Sequence, residues 1–95
     1  MKPPKFLAFD IGASSGRGVV GDIEGDRLRV REICRFPNRM IQVHGHLHWN
    51  IYDLFEHVKD GLKLCAEQDG RPMSVGIDTW GVDFGLLASD GTILG

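Results

Sequence analysis

Ninety-five residues, 42% apolar and 25% charged, make one small domain and exclude a disordered chain. A formal charge of −2 and an isoelectric point near 6.0 leave no basic excess for nucleic acid or an anionic membrane surface. The apolar run that follows Met1-Lys2-Pro3-Pro4-Lys5 stops at Asp10, too short for a signal peptide or a bilayer span, and Cys34 and Cys65 lie outside any C-x-x-C spacing. A cytoplasmic protein with two reduced, buried thiols is expected.

Lys5 to Ile11 is apolar on both faces of the strand period, as in a central strand covered on both sides. Gly12 to Gly16 forms a turn, Arg17 to Ile23 returns antiparallel, and Glu24-Gly25-Asp26 turns the chain into a third strand over Arg27 to Phe36, nearer an edge. Alternation there predicts Arg27, Arg29 and Arg31 on the wet face and Leu28 and Val30 on the dry one. Pro37-Asn38 breaks the pattern, and Met40 to His48 is an extended excursion that pairs locally. Asn50 caps a helix whose apolar stripe is Ile51, Leu54, Phe55, Val58, Leu62 and Cys65, ended by Gly70. Met73 to Asp78 is a fourth strand, reached by a helical crossover and so parallel to the first. Val82 to Leu87 and Thr92 to Leu94 read as a hairpin through Ser89-Asp90-Gly91. The fold class is α/β with a mixed sheet.

Two strands run into an aspartate and then a glycine: Phe6-Leu7-Ala8-Phe9-Asp10-Ile11-Gly12 and Ser74-Val75-Gly76-Ile77-Asp78-Thr79-Trp80-Gly81. If they lie parallel and adjacent, both carboxylates reach the sheet edge where α/β proteins open a ligand crevice. Asp10 on so apolar a strand is expected to meet a metal, a cation or backbone donors, the simplest alternative being a cap on the N–H groups of Gly12 and Ala13. Gly12-Ala13-Ser14-Ser15-Gly16-Arg17 suits a phosphate chain: glycines admit close approach, hydroxyls donate, and Arg17 neutralises charge. Asp78 is placed to complete a metal shell or to bond a substrate hydroxyl. Trp80-Gly81-Val82-Asp83-Phe84 combines an aromatic face, bare backbone and a carboxylate, as a polyhydroxylated ligand requires. His44, His46 and His48 alternate without a supporting carboxylate or cysteine and are read as solvent-facing, as is His57 on the polar side of the helix.

The order β-β-β-α-β resembles the opening of the ribonuclease H-like fold that actin shares with many sugar kinases. At Asp10 to Arg17, taken with Gly76-Ile77-Asp78-Thr79-Trp80-Gly81-Val82-Asp83-Phe84, the sequence resembles the amino terminus of the FGGY carbohydrate kinases. The second run is most like the members that act on L-rhamnulose. The likeness extends to Arg31-Glu32-Ile33, Phe36 to Asn38 and Trp49 to Leu54. It implies ATP- and magnesium-dependent phosphorylation of L-rhamnulose to L-rhamnulose 1-phosphate in rhamnose catabolism, with no nucleic-acid or membrane partner. Ala13, Ser14, Ser15, Gly16 and Arg17 then contact the ATP phosphates, Asp10 is metal-associated, and Gly81 contacts the sugar; Trp80, Asp83 and Asp78 are candidate substrate-binding residues on their own chemistry. It further implies that residues 1–95 are the amino-terminal part of a first domain. The catalytic base and the adenine-binding domain then lie outside it, so that the chain alone is inactive. Two other classes share the pattern: a two-metal nuclease using Glu56 as third carboxylate, and a non-catalytic sugar- or nucleotide-sensing module.

Overall fold

The computed structural model describes residues 4–95; Met1 to Pro3, the start of the segment read as too short for a leader, lie outside them. In chain order the elements are β1 (Lys5–Ile11), β2 (Ser15–Glu24), β3 (Arg27–Pro37), β4 (Met40–Val43), β5 (His46–Trp49), α1 (Ile51–Gln68) and β6 (Ser74–Asp78). One sheet has the order β3-β2-β1-β6, with β1 antiparallel to β2 and parallel to β6. The protein is therefore α/β with a mixed sheet. β4 and β5 make a separate hairpin, the local pairing expected of the excursion, through a turn in which His44 and Gly45 both have positive φ. Among the described residues no helix is long and apolar enough to cross a membrane.

α1 forms where the apolar period demands it. The Asn50 side chain accepts from the Asp53 N–H at 3.2 Å, closing the first turn. The helix buries Leu54, Gly61 and Cys65, with Val58 and Leu62 partly covered, against Leu7 and Phe9 of β1, Val20 of β2 and Phe36 of β3. Ile51 and Phe55, assigned to the stripe by spacing, are exposed, and Phe55 lies under the Lys59 ammonium. The helix comes so near the sheet at Gly61 that a Cβ there would lie 2.5 Å from the Phe9 ring. Burial pushes the Cys65 thiol up, with the Asp69 carboxylate adding to the shift, so it stays protonated and inert. Cys34 and Cys65 are free thiols, Cys34 only half-buried.

Two expectations are corrected. The alternation along β3 is reversed by a bulge: Gly18 pairs with Cys34 but Val19 pairs with Glu32, leaving Ile33 as the extra residue. Cys34 and Phe36 therefore face the helix, whereas Leu28 and Val30 face out and are exposed. Arg29 and Arg31 lie on the helix side. Arg29 and Lys5 converge on buried Asp22, at 2.9 Å each, and Arg31 bonds Asp69 just past the helix end. Those partners hold the Asp22 carboxyl below the usual carboxylate range, Arg29 most strongly. The His57 ring is not simply solvated: it stacks on Phe36 at 4.7 Å, which places it on the flank of the core. The hairpin expected through Ser89-Asp90-Gly91 is met at its closing end: Leu87 bridges Ile93 antiparallel, the Ala88 N–H donates to the Thr92 carbonyl at 2.8 Å and the Leu94 N–H to the Leu86 carbonyl at 2.9 Å, while Val82 to Gly85 lie outside that pairing.

Candidate functional site

The ladder aligns four charged side chains in one transverse row. Asp10 pairs with Asp78 across β1 and β6, Asp10 with Arg17 across β1 and β2, and Arg17 with Arg35 across β2 and β3. Directly paired residues share a face, so Arg35, Arg17, Asp10 and Asp78 stand side by side on the face opposite α1. The strands deliver the row at the carboxyl ends of parallel β1 and β6, as the doubled strand-aspartate-glycine pattern anticipates.

Asp10 is half-exposed, not buried. Its carboxylate accepts from Arg17 Nε at 3.3 Å, and it does not cap Gly12, whose N–H donates to the Ser15 carbonyl at 2.9 Å. The cation is thus the partner that Asp10 has found. The loop between β1 and β2 is held from behind by Asn38. This buried side chain donates through Nδ2 to the Gly12 carbonyl at 2.8 Å, and its own N–H donates to the Ser14 carbonyl at 3.0 Å. With the carbonyls of Gly12, Ser14 and Ser15 all engaged, fewer acceptor oxygens remain to repel an anion. Gly16 is bare for a different reason than close approach to phosphate: the Phe36 ring lies across it, 2.3 Å from where a Cβ would stand.

Two clefts meet at Asp10 and Gly12. One, of about 330 Å³, is lined by Asp10, Gly12, Ala13, Ser14, Ser15, Arg17 and Arg35. The other, of about 300 Å³, is lined by Asp10, Ile11, Gly12, Asp78, Thr79, Trp80 and Gly81. The first is cationic and hydroxyl-rich, the second carboxylate and aromatic, and Asp10 separates them. Asp83 stands apart from both; its carboxylate accepts from the Trp49 indole at 3.0 Å, tying the segment after β6 to the end of the hairpin. Glu56 pairs with Lys59, and among the described residues no three His, Cys, Asp or Glu side chains gather as metal ligands, the histidines of the hairpin included.

No protein-family model matches the chain. Curated relatives do. The rhamnulokinase of Bacteroides thetaiotaomicron is 52% identical over 89 residues, covering 94% of this chain and 18% of its own length. That of Halalkalibacterium halodurans is 49% identical over 81 residues, covering 85% and 17%, and that of Bacillus subtilis 41% over 86, covering 90% and 18%. The chain belongs to the rhamnulokinase family. It spans less than a fifth of the length of the curated relatives it matches.

Two residues of this site escaped the sequence reading. Arg35 lies 18 positions beyond Arg17, in a stretch that reads only as strand, and the bulge at Ile33 decides which way it faces. Asn38 reads in the sequence only as a break in the strand pattern. The signal that could have found it is an Asn placed just after a strand expected to lie beside the loop, where a short amide can close a turn.

Proposed function

We propose that this chain supplies the phosphate loop and part of the sugar cleft of an ATP-dependent kinase, which transfers the terminal phosphoryl group of ATP to the 1-hydroxyl of L-rhamnulose. The observation that carries the reading is the pairing of Asp10 with Asp78 at the junction of a cationic, hydroxyl-lined cleft and a cleft floored by Trp80 and Gly81. The relatives' name supports the substrate. The sheet order, a three-stranded meander with a parallel strand added beside β1 after a helix, supports a ribonuclease H-like domain of the FGGY kinase kind, of which residues 1–95 are the amino-terminal part. Two free thiols and the use of ATP support a cytoplasmic location.

Neighbouring carboxylates without a third ligand suit magnesium, which takes most of its shell from water and phosphate oxygens rather than from a protein cage. Asp10 and Asp78 would hold it, and when bound it neutralises charge on the phosphates. Ala13, Ser14 and Ser15 orient the phosphate chain with amide and hydroxyl donors, and Gly16, packed under Phe36, fixes the loop's exit into β2. Arg17, now on Asp10, meets the charge that develops on the transferred group. Trp80 packs on the C–H face of the sugar and Gly81 leaves room for it, while Asp78, which lines the same cleft, is the candidate partner for its hydroxyls; Asp83, held by Trp49, stands outside that cleft. The proton acceptor for the reacting hydroxyl is assigned to neither aspartate, since Asp83 bonds Trp49 and the resemblance to FGGY kinases places that group outside residues 1–95. A nuclease is disfavoured, since Glu56 is engaged by Lys59 and no three-carboxylate cluster forms among the described residues.

Gly81→Val tests the sugar cleft. A Cβ at Gly81 meets nothing within 4 Å, so a larger side chain enters the cleft without a clash in the fold. In a graft of this chain in place of the matching stretch of the Bacteroides thetaiotaomicron relative, Gly81→Val raises the L-rhamnulose KM strongly. The ATP KM and melting temperature stay near those of the unsubstituted graft. Unchanged sugar KM, or parallel loss of both affinities and of stability, removes Trp80 and Gly81 from the site.

A further inference from the structure

We infer that Arg35 is a second phosphate-binding residue, which closes the loop cleft from the β3 side and shares the ATP phosphates with Arg17. This rests on the reading of Gly12 to Arg17 as the phosphate loop and deepens it.

Arg17 and Arg35 are directly opposed across β2 and β3, and like charges in that position repel. Both side chains are about half exposed, so nothing buried forces them together. Each has one acidic neighbour: Asp10 for Arg17, and Glu32 at 2.8 Å for Arg35. The cleft they line carries the hydroxyls of Ser14 and Ser15, with Asp10 as its only carboxylate. Two guanidiniums on one side of Asp10 and a second carboxylate, Asp78, on the other produce a row with charge order + + − −. An anion bridging the two arginines removes their repulsion, and a cation beside the two aspartates removes theirs. A magnesium-polyphosphate complex satisfies both halves of the row at once, with phosphate oxygens over Arg35 and Arg17 and the metal toward Asp10 and Asp78. Guanidinium forks suit this because they bind phosphate oxygens in pairs, and Arg35 is free to turn from its exposed contact with Glu32.

The test uses the same graft and measures dissociation constants for MgATP, MgADP and adenosine, the last as a phosphate-free control. Losing one charge-assisted phosphate contact costs roughly tenfold or more in affinity. Arg35→Gln is expected to weaken MgATP by about that factor, to leave adenosine unchanged and to leave the L-rhamnulose KM unchanged. Arg35→Lys should recover part of the loss. Glu32→Gln separates binding from architecture: if Arg35 serves only its bond to Glu32, that variant reproduces the Arg35→Gln effect and the inference falls. If Arg35 binds phosphate, Glu32→Gln leaves MgATP affinity unchanged or tightens it. Unaltered MgATP affinity in Arg35→Gln, beside a clear loss in Arg17→Gln, overturns the role of Arg35 and keeps the phosphate loop. Unaltered affinity in both variants overturns the loop reading and the inference with it.

Discussion

Asn38 shows how one buried amide can shape a site that it does not enter. Its side chain and backbone fasten the Gly12 and Ser14 carbonyls, fixing a loop whose other residues are small and exposed. Asn38→Ala leaves the Gly12 carbonyl without its partner, a loss of about 1–2 kcal/mol of stability by the usual cost of a broken buried hydrogen bond. In the graft, the variant should lower the melting temperature modestly and raise the ATP KM, while the L-rhamnulose KM stays put. Equal rises in both KM values would make Asn38 a general support rather than a loop clamp. Asp10, Arg17 and the two serines were legible because their chemistry is contiguous along the chain. Arg35 and Asn38 were not, because only the strand ladder brings them to the loop, and a ladder with a bulge cannot be phased from one strand's alternation.

Among the elements, α1 and β3 carry most of what holds the site's floor in place. The helix was legible from its cap and period, yet it lies against the Phe9 ring at Gly61, which no hydrophobic stripe contains. Gly61→Ala improves intrinsic helix propensity by about 1 kcal/mol but drives a methyl into the buried Phe9 ring, and such overpacking costs about 1–3 kcal/mol. A net fall in melting temperature is expected; a rise would show that Phe9 yields easily. On β3, Arg29 serves buried Asp22 from the strand edge, together with Lys5 of β1. Because the folded Asp22 carboxyl titrates below its unfolded value, its contribution is complete above the ordinary carboxylate pKa and is lost as pH falls through the depressed one. Asp22→Asn should therefore destabilise the protein at pH 7 and make little difference at the acid end, below the depressed pKa. Denaturant melts of both forms across that range check the sign; a constant gap would place the effect in packing rather than charge.

At the scale of the molecule, the sheet has one face packed by α1 and one that carries the row of Arg35, Arg17, Asp10 and Asp78. β6 is exposed along its whole length, and the helix, seated over β2 and β3, leaves Val75 and Ile77 uncovered. The expectation of a central first strand covered on both sides is thus met on the helix side only: Leu7 and Phe9 are buried, while Ala8 and Asp10 are open. The strand order was legible because a meander followed by a helical crossover admits few arrangements, and the turn at Ser89-Asp90-Gly91 was legible from its residue types, whereas the open course of Val82 to Gly85 was not. What the arrangement accomplishes is to bring two distant aspartates together beside the loop of Gly12 to Arg17, and phosphoryl transfer to a sugar is the central claim. The most direct measurement is ADP release by the graft with L-rhamnulose as substrate, compared with its Asp10→Asn variant at saturating magnesium. The prediction is sugar-dependent turnover in the graft that falls by orders of magnitude in the variant, with the L-rhamnulose KM little changed. Near-equal turnover of the two proteins would contradict it.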